Sequence, residues 1–220
     1  MVEVKFCGMT RRDDVRAAVQ LGAEYVGVIF TSSPRRVTPA QAATILQPTA
    51  GTAVRRVGVF GNEPVEGVLS VTREVALDVV QLHAWWDDSD VDALRAGYPG
   101  DVWRVIRVGP EGLSDTDRML FRPGAGVVLD AFSTAALGGT GASFDWRGVS
   151  SSLSTLRGGT RLIVAGGLRP DNVQAAIAAL EPDVVDVSSG VESAPGLKDH
   201  RRMADFLASA GRRVPRRMTG

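Results

Sequence analysis

Short apolar runs rich in β-branched residues recur along the whole chain, and each is followed by a longer stretch with helical spacing. The runs predict strands over residues 2–6, 25–30, 55–60, 78–82, 102–106, 126–129, 161–165 and 183–187. The stretches between them predict helices over 11–21, 39–46, 64–72, 87–95, 115–121, 145–156, 170–180 and 199–208. Thr38-Pro39, Asn62 ahead of Pro64, and Arg169-Pro170 read as helix starts, since proline suits a first turn whose N–H would be unpaired anyway.

Strict alternation with short connections implies parallel strands and right-handed crossovers. Eight such units favour a closed α/β barrel, a single (β/α)8 TIM barrel, over an open doubly wound sheet. In its dinucleotide-binding form the open sheet needs a Gly-rich turn after the first strand, and Cys7-Gly8-Met9-Thr10 lacks it. No low-complexity linker divides the chain, so residues 1–210 read as one catalytic domain. Residues 211–220, with Arg212, Arg213, Arg216 and Arg217, read as a flexible basic tail.

Charge then narrows the partners. Lys plus Arg and Asp plus Glu number 25 each in 220 residues, so no global field draws the chain to nucleic acid or to an anionic membrane. Charges at Glu3 and Lys5 break any leader-like apolar start, and no segment is long enough to span a bilayer. The single cysteine, Cys7, excludes an internal disulfide and a cysteine-rich zinc site, which fits a cytoplasmic protein.

Two strand ends carry the candidate chemistry. Ala165-Gly166-Gly167-Leu168 and Asp186-Val187-Ser188-Ser189-Gly190 each follow an apolar run, and small residues with available backbone N–H groups let phosphate oxygens approach. In a closed barrel, alternation sends Val4 and Phe6, Val80 and Leu82, Val127 and Leu129, and Val185 and Val187 towards the helices. It sends Lys5 and Cys7, Gln81 and His83, Asp130, and Asp186 and Ser188 inward. Polar groups thus collect at the carboxyl ends of the strands, where barrel enzymes do their chemistry. Lys5 needs a carboxylate there, and Asp130 or Asp186 could supply it. Singly, each residue also has a plain reading: Cys7 as a small buried apolar group, Asp130 as a turn residue, His83 as a core histidine, Ser188 as a helix cap. Trp85, Trp86, Trp103 and Trp146 read as packing and surface residues, because no basic stripe accompanies them.

The ordered segments Lys5-Phe6-Cys7-Gly8-Met9-Thr10, Ser33-Pro34-Arg35-Arg36-Val37, Val57-Gly58-Val59-Phe60, Gln81-Leu82-His83 and Leu129-Asp130 do more than any one of them. They continue with Gly138-Gly139-Thr140-Gly141, Phe144-Asp145-Trp146, Ala165-Gly166-Gly167-Leu168, Val185 through Glu192, and Pro195-Gly196-Leu197-Lys198-Asp199. Over almost its whole length the chain resembles the phosphoribosylanthranilate isomerase family. The resemblance implies an Amadori rearrangement of N-(5-phosphoribosyl)anthranilate in tryptophan biosynthesis, with no metal or organic cofactor and with a small phosphorylated molecule as partner. It implies Cys7 as general base and Asp130 as general acid. Arg36 would bind the anthranilate carboxylate, His83 and Asp186 would line the sugar region, and Gly166, Gly167, Ser188 and Ser189 would hold the phosphate. Gly138 to Gly141 would belong to a loop that closes over substrate. Arg35 reads as an exposed loop charge. An acid at Asp130 also requires Lys5 to pair elsewhere. The family usually carries Gly where Ala84 stands, and a positive φ there would strain the alanine. A relative acting on the histidine-pathway intermediate and a noncatalytic phosphosugar-binding barrel are the competing readings. Barrels of this length occur as monomers or homodimers.

Overall fold

The computed structural model describes residues 1–131 and 145–214. Eight parallel strands close on one another in sequence order: β1 (Glu3–Phe6), β2 (Tyr25–Ile29), β3 (Arg55–Phe60), β4 (Val79–Leu82), β5 (Asp101–Val108), β6 (Gly126–Ala131), β7 (Arg161–Val164) and β8 (Val184–Val187). The helices α1 (Arg12–Leu21), α2 (Pro39–Ile45), α3 (Val65–Val75), α4 (Asp88–Gly97), α5 (Asp115–Arg118), α6 (Trp146–Leu156), α7 (Val173–Leu180) and α8 (His200–Ser209) follow them in turn. This is the (β/α)8 barrel that the alternation predicts. The β1–β8 pairing that closes it sets Lys5 opposite Asp186.

Two apolar layers hold the fold. Outward strand residues such as Val4, Phe6, Val80, Leu82, Leu129 and Val185 pack with helix residues such as Val15, Val68, Leu94 and Phe206. A second cluster, Tyr25, Val57, Val79, Trp103, Val128, Ile163 and Val184, fills the barrel interior. Size is matched across neighbouring strands. Gly126 opposes Trp103, and any Cβ on Gly126 would collide with the Trp103 indole. Gly27 opens space for strand one, since a Cβ there would lie 2.9 Å from Cys7 Sγ and 3.2 Å from Lys5 Cε. At the amino end Tyr25 is flanked by the Arg55 and Arg161 guanidiniums, 5.7 and 5.8 Å from its ring centre. Arg161 also pairs with Glu3 and donates to Tyr25 Oη at 2.9 Å. Aromatic and ionic groups thus plug that end, and the polar chemistry lies at the other.

Some local elements differ from expectation. α7 begins at Val173 rather than at residue 170, because Asn172 Oδ1 accepts from the Arg169 N–H and its Nδ2 donates to the Gly167 carbonyl. Such side-chain bonding offers the backbone an alternative to helix. A small antiparallel hairpin after β8, β9 (Glu192–Ala194) and β10 (Leu197–Lys198), has no counterpart among the predicted elements. Ala84 is unstrained: among the described residues only Ala76 and Glu181 are non-glycines with positive φ. The basic segment is tied down at its start, where Arg212 donates to the Val2 carbonyl at 3.0 Å and pairs with Glu24. Residues 215–220 lie outside the described residues, as does the predicted Gly138–Gly141 loop.

Candidate active site

Five strand ends bring their polar and glycine residues to one cavity at the carboxyl face. Cys7 after β1, Gln81 and His83 at β4, Asp130 on β6, Gly166 and Gly167 after β7, and Asp186, Ser188 and Ser189 at β8 all line it. Counted out to its open mouth, it holds about 720 Å³ of empty space. Eight of the nine residues singled out from the sequence as site residues therefore share one cavity. The exception is Arg36, which is solvent-exposed on the loop after β2, with its Nε donating to the Phe30 carbonyl at 2.9 Å.

Its neighbour Arg35 corrects a sequence expectation. Arg35 is buried, lines the cavity, and grips Glu192 through two parallel bonds of 2.8 and 2.7 Å. Two adjacent arginines on one loop look alike in sequence, and only the position of Glu192 on β9 decides which turns inward.

The charged groups are arranged so that the carboxylates have different fates. Lys5 is fully buried and donates to Asp186 Oδ2 at 2.6 Å and to Gln81 Oε1 at 2.9 Å. Burial works against the Lys5 ammonium, but Asp186 and Cys7 outweigh it and hold its pKa above the ordinary value. Asp130, without that cation, is pushed up to about 6 by burial first and by the Asp186 charge second. His83 Nε2 lies 3.6 Å from Asp130 Oδ2, yet it makes no ion pair at neutral pH, because burial, with Arg107 and Lys5, pushes the imidazole down to about 4. Burial raises the Cys7 thiol, and Lys5 partly offsets that. Arg107, at the carboxyl end of β5 opposite Asp130, is a cation that the sequence reading did not single out.

Unpartnered polar atoms mark where a ligand is expected. Among the described residues both ring nitrogens of His83 and Oδ1 of Asp186 are buried without a hydrogen-bond partner. Such atoms are costly unless something supplies the missing bond. After β7, between Asp130 on β6 and Asp186 on β8, Gly166 holds φ 81°, and a Cβ there would lie 2.8 Å from Asp130 Oδ1. A Cβ on Gly190 would run into the Leu168 carbonyl, so the β7 and β8 loops touch. The two small-residue loops thus form one surface beside Asp130. Among the described residues no group of His, Cys, Asp and Glu is arranged to hold a metal ion.

Comparison with known proteins agrees with this geometry. The family model for N-(5'-phosphoribosyl)anthranilate (PRA) isomerase matches residues 4–209. The N-(5'-phosphoribosyl)anthranilate isomerase of Thiobacillus denitrificans is 41% identical over 215 residues, covering 95% of this chain and 98% of its own. A phosphoribosyl anthranilate isomerase solved in complex with reduced 1-(o-carboxyphenylamino)-1-deoxyribulose 5-phosphate superposes with TM-score 0.81 at 34% identity, covering 96% of this chain and 99% of that one. A Thermotoga maritima structure described as monomers generated from a dimeric enzyme gives TM-score 0.80, again at 34% identity, with 96% and 99% covered. The barrel, its cavity and the match across residues 4–209 show that the chain belongs to the N-(5'-phosphoribosyl)anthranilate isomerase family.

Proposed function

We propose that this chain isomerises N-(5'-phosphoribosyl)anthranilate to 1-(2-carboxyphenylamino)-1-deoxyribulose 5-phosphate, with Asp130 as general acid and Cys7 as general base. The observation that carries this reading is the split between two neighbouring carboxyl groups. Asp186 is neutralised as an ion by Lys5, whereas Asp130 is kept near pKa 6 and so retains a proton close to working pH.

Asp130 gives its proton to the furanose ring oxygen. The bond from that oxygen to C1 breaks as the anilino nitrogen pushes its lone pair into a C1–N double bond. The Cys7 thiolate then takes the C2 proton, the C2–H pair forms a C1–C2 double bond, and the nitrogen recovers its lone pair. The resulting enolamine tautomerises to the ketone. Every electron pair remains within the substrate and the protons balance, so the reaction itself requires no redox partner.

Recognition follows from the remaining walls. Gly166, Gly167, Ser188 and Ser189 take the phosphate through backbone N–H groups, where close approach needs small residues. His83 and Asp186 meet sugar hydroxyls with the atoms that now lack partners. Arg36 takes the anthranilate carboxylate through its terminal nitrogens, since its Nε is held by Phe30 and the Arg35 fork is committed to Glu192. Every residue in this scheme comes from one chain. The balanced charge supports a cytoplasmic reading, and no described helix is long and apolar enough to cross a membrane.

The test is conversion of freshly prepared phosphoribosylanthranilate, followed by loss of its fluorescence, for the native chain, Cys7→Ser and Asp130→Asn. Both variants are expected to lose about 10²-fold or more in turnover while still binding the reduced product analogue. Undiminished turnover in either variant would remove that residue from the scheme.

A further inference from the structure

Arg35, on the cavity wall, forms a buried triad with Glu192 and Lys198, each no more than 7% exposed. Arg35 occupies both Glu192 carboxylate oxygens, and Lys198 Nζ donates to Glu192 Oε1 at 2.8 Å. Two cations thus share one carboxylate, leaving a net positive charge away from water. Such a charge is costly unless an anion faces it. Lys5 and Asp186 already neutralise each other, so that pair does not supply the anion.

Contacts aim the excess charge at the reaction site. Lys198 Nζ donates to the Ser188 carbonyl at 3.1 Å and lies 3.4 Å from its hydroxyl. The Arg35 stem and the Ser188 hydroxyl close on Gly8, where a Cβ would be 2.5 Å from Arg35 Cδ and 2.8 Å from Ser188 Oγ. Gly8 directly follows Cys7 and has φ 70°, so any larger residue would both strain the backbone and part these groups. The triad therefore touches the phosphate loop on one side and the backbone beside the thiol on the other.

We propose that Arg35, Glu192 and Lys198 are positioning residues whose standing positive charge anchors the Ser188 end of the phosphate cradle and offsets the substrate phosphate, so that Cys7 can ionise next to a dianion. The proposal rests on the reading of Cys7 as proton acceptor. The other ionisable groups around the thiol are Lys5 on its own strand, Asp186 on β8, Asp130 on β6 and His83 on β4. The Lys5–Asp186 pair is balanced, Asp130 is an anion above about pH 6 and His83 is neutral, so among these groups only Arg35 and Lys198 bring positive charge beyond that of a paired carboxylate to the thiol. Burial pushes Lys198 below its ordinary value, Glu192 counters in part and Arg35 adds to the fall, while Lys198 in turn lowers the Cys7 thiol against the larger effect of burial.

Cys7 is the only cysteine, so the rate of its alkylation by iodoacetamide against pH reports its ionisation without any need for turnover. In Lys198→Met the alkylation inflection is expected to rise by about one pH unit, and inorganic phosphate to bind about tenfold more weakly. Lys198→Arg, which keeps the charge, restores both. Glu192→Gln removes the carboxylate and moves the inflection the opposite way, downward. Folding is checked by circular dichroism, and if Lys198→Met does not fold, Glu192→Gln decides alone. An unchanged inflection and unchanged phosphate affinity in folded variants, or shifts of the same sign in both, would overturn the proposal. Normal turnover by Cys7→Ser alongside the expected shifts would instead overturn the role of Cys7 and leave the charge effect standing.

Discussion

Asp130 and His83 are displaced from their ordinary ionisation in opposite directions by the same burial. Between about pH 3.8 and 6 the folded Asp130 holds a proton that the unfolded chain has released, so its contribution to stability falls as pH rises. Between about pH 4 and 6.5 the folded His83 lacks a proton that the unfolded chain binds, so its contribution falls as pH drops. Each is worth about 3 kcal/mol in full, and because the signs oppose, the pair leaves stability nearly level across that range. Asp130→Asn removes the cost of the buried carboxylate, and denaturant unfolding above pH 6 should show a variant up to about 3 kcal/mol more stable and almost inactive. His83→Asn should expose the Asp130 slope, with stability declining from pH 4 to 6 where the native chain is level. A native chain that already shows this decline would contradict the cancellation.

At the scale of elements, the site depends on the β7 and β8 loops lying in contact. Gly190→Ala would press a methyl into the Leu168 carbonyl and part them. Weaker binding of inorganic phosphate, by about tenfold or more, with near-native circular dichroism is the expected outcome; unchanged affinity would place the anion elsewhere. The strands themselves were legible because barrel strands are buried on both faces and appear as continuous apolar runs. The inward placement of Cys7, His83, Asp130 and Asp186 followed from alternation alone. The β9–β10 hairpin escaped notice because Glu192-Ser193-Ala194 and Leu197-Lys198 carry no β-branched run, and charged residues ordinarily signal surface. Glu192, Lys198 and Arg35 are buried only by virtue of one another. That mutual dependence is tertiary, and neither spacing nor residue type announces it.

For the whole molecule, the exposed large apolar residues among those described are Met1, Trp85 and Met119, which lie before β1, after β4 and after α5 rather than on a common helix or strand. An extended apolar dimer face draws on more than this, and the described walls of the cavity all come from one chain. Sedimentation of the native protein is therefore expected to give a single species near 23.3 kDa. A stable dimer at micromolar concentration would contradict that. The barrel's closed amino end and polar carboxyl end also confine the polar chemistry to the chamber where burial raises Asp130 to about 6. In the proposed scheme the acid form of Asp130 and the thiolate of Cys7 must coexist, although Asp130 titrates near 6 and the thiol above its usual value. Their product rises up to about pH 6, stays level until the thiol ionises, and then falls. The most direct measurement is the pH dependence of kcat/KM for native chain and Asp130→Asn. The account predicts a native plateau with its acidic shoulder near pH 6, and in Asp130→Asn a residual rate that climbs without that shoulder until Cys7 ionises; the same shoulder in both proteins would show that Asp130 is not the acid.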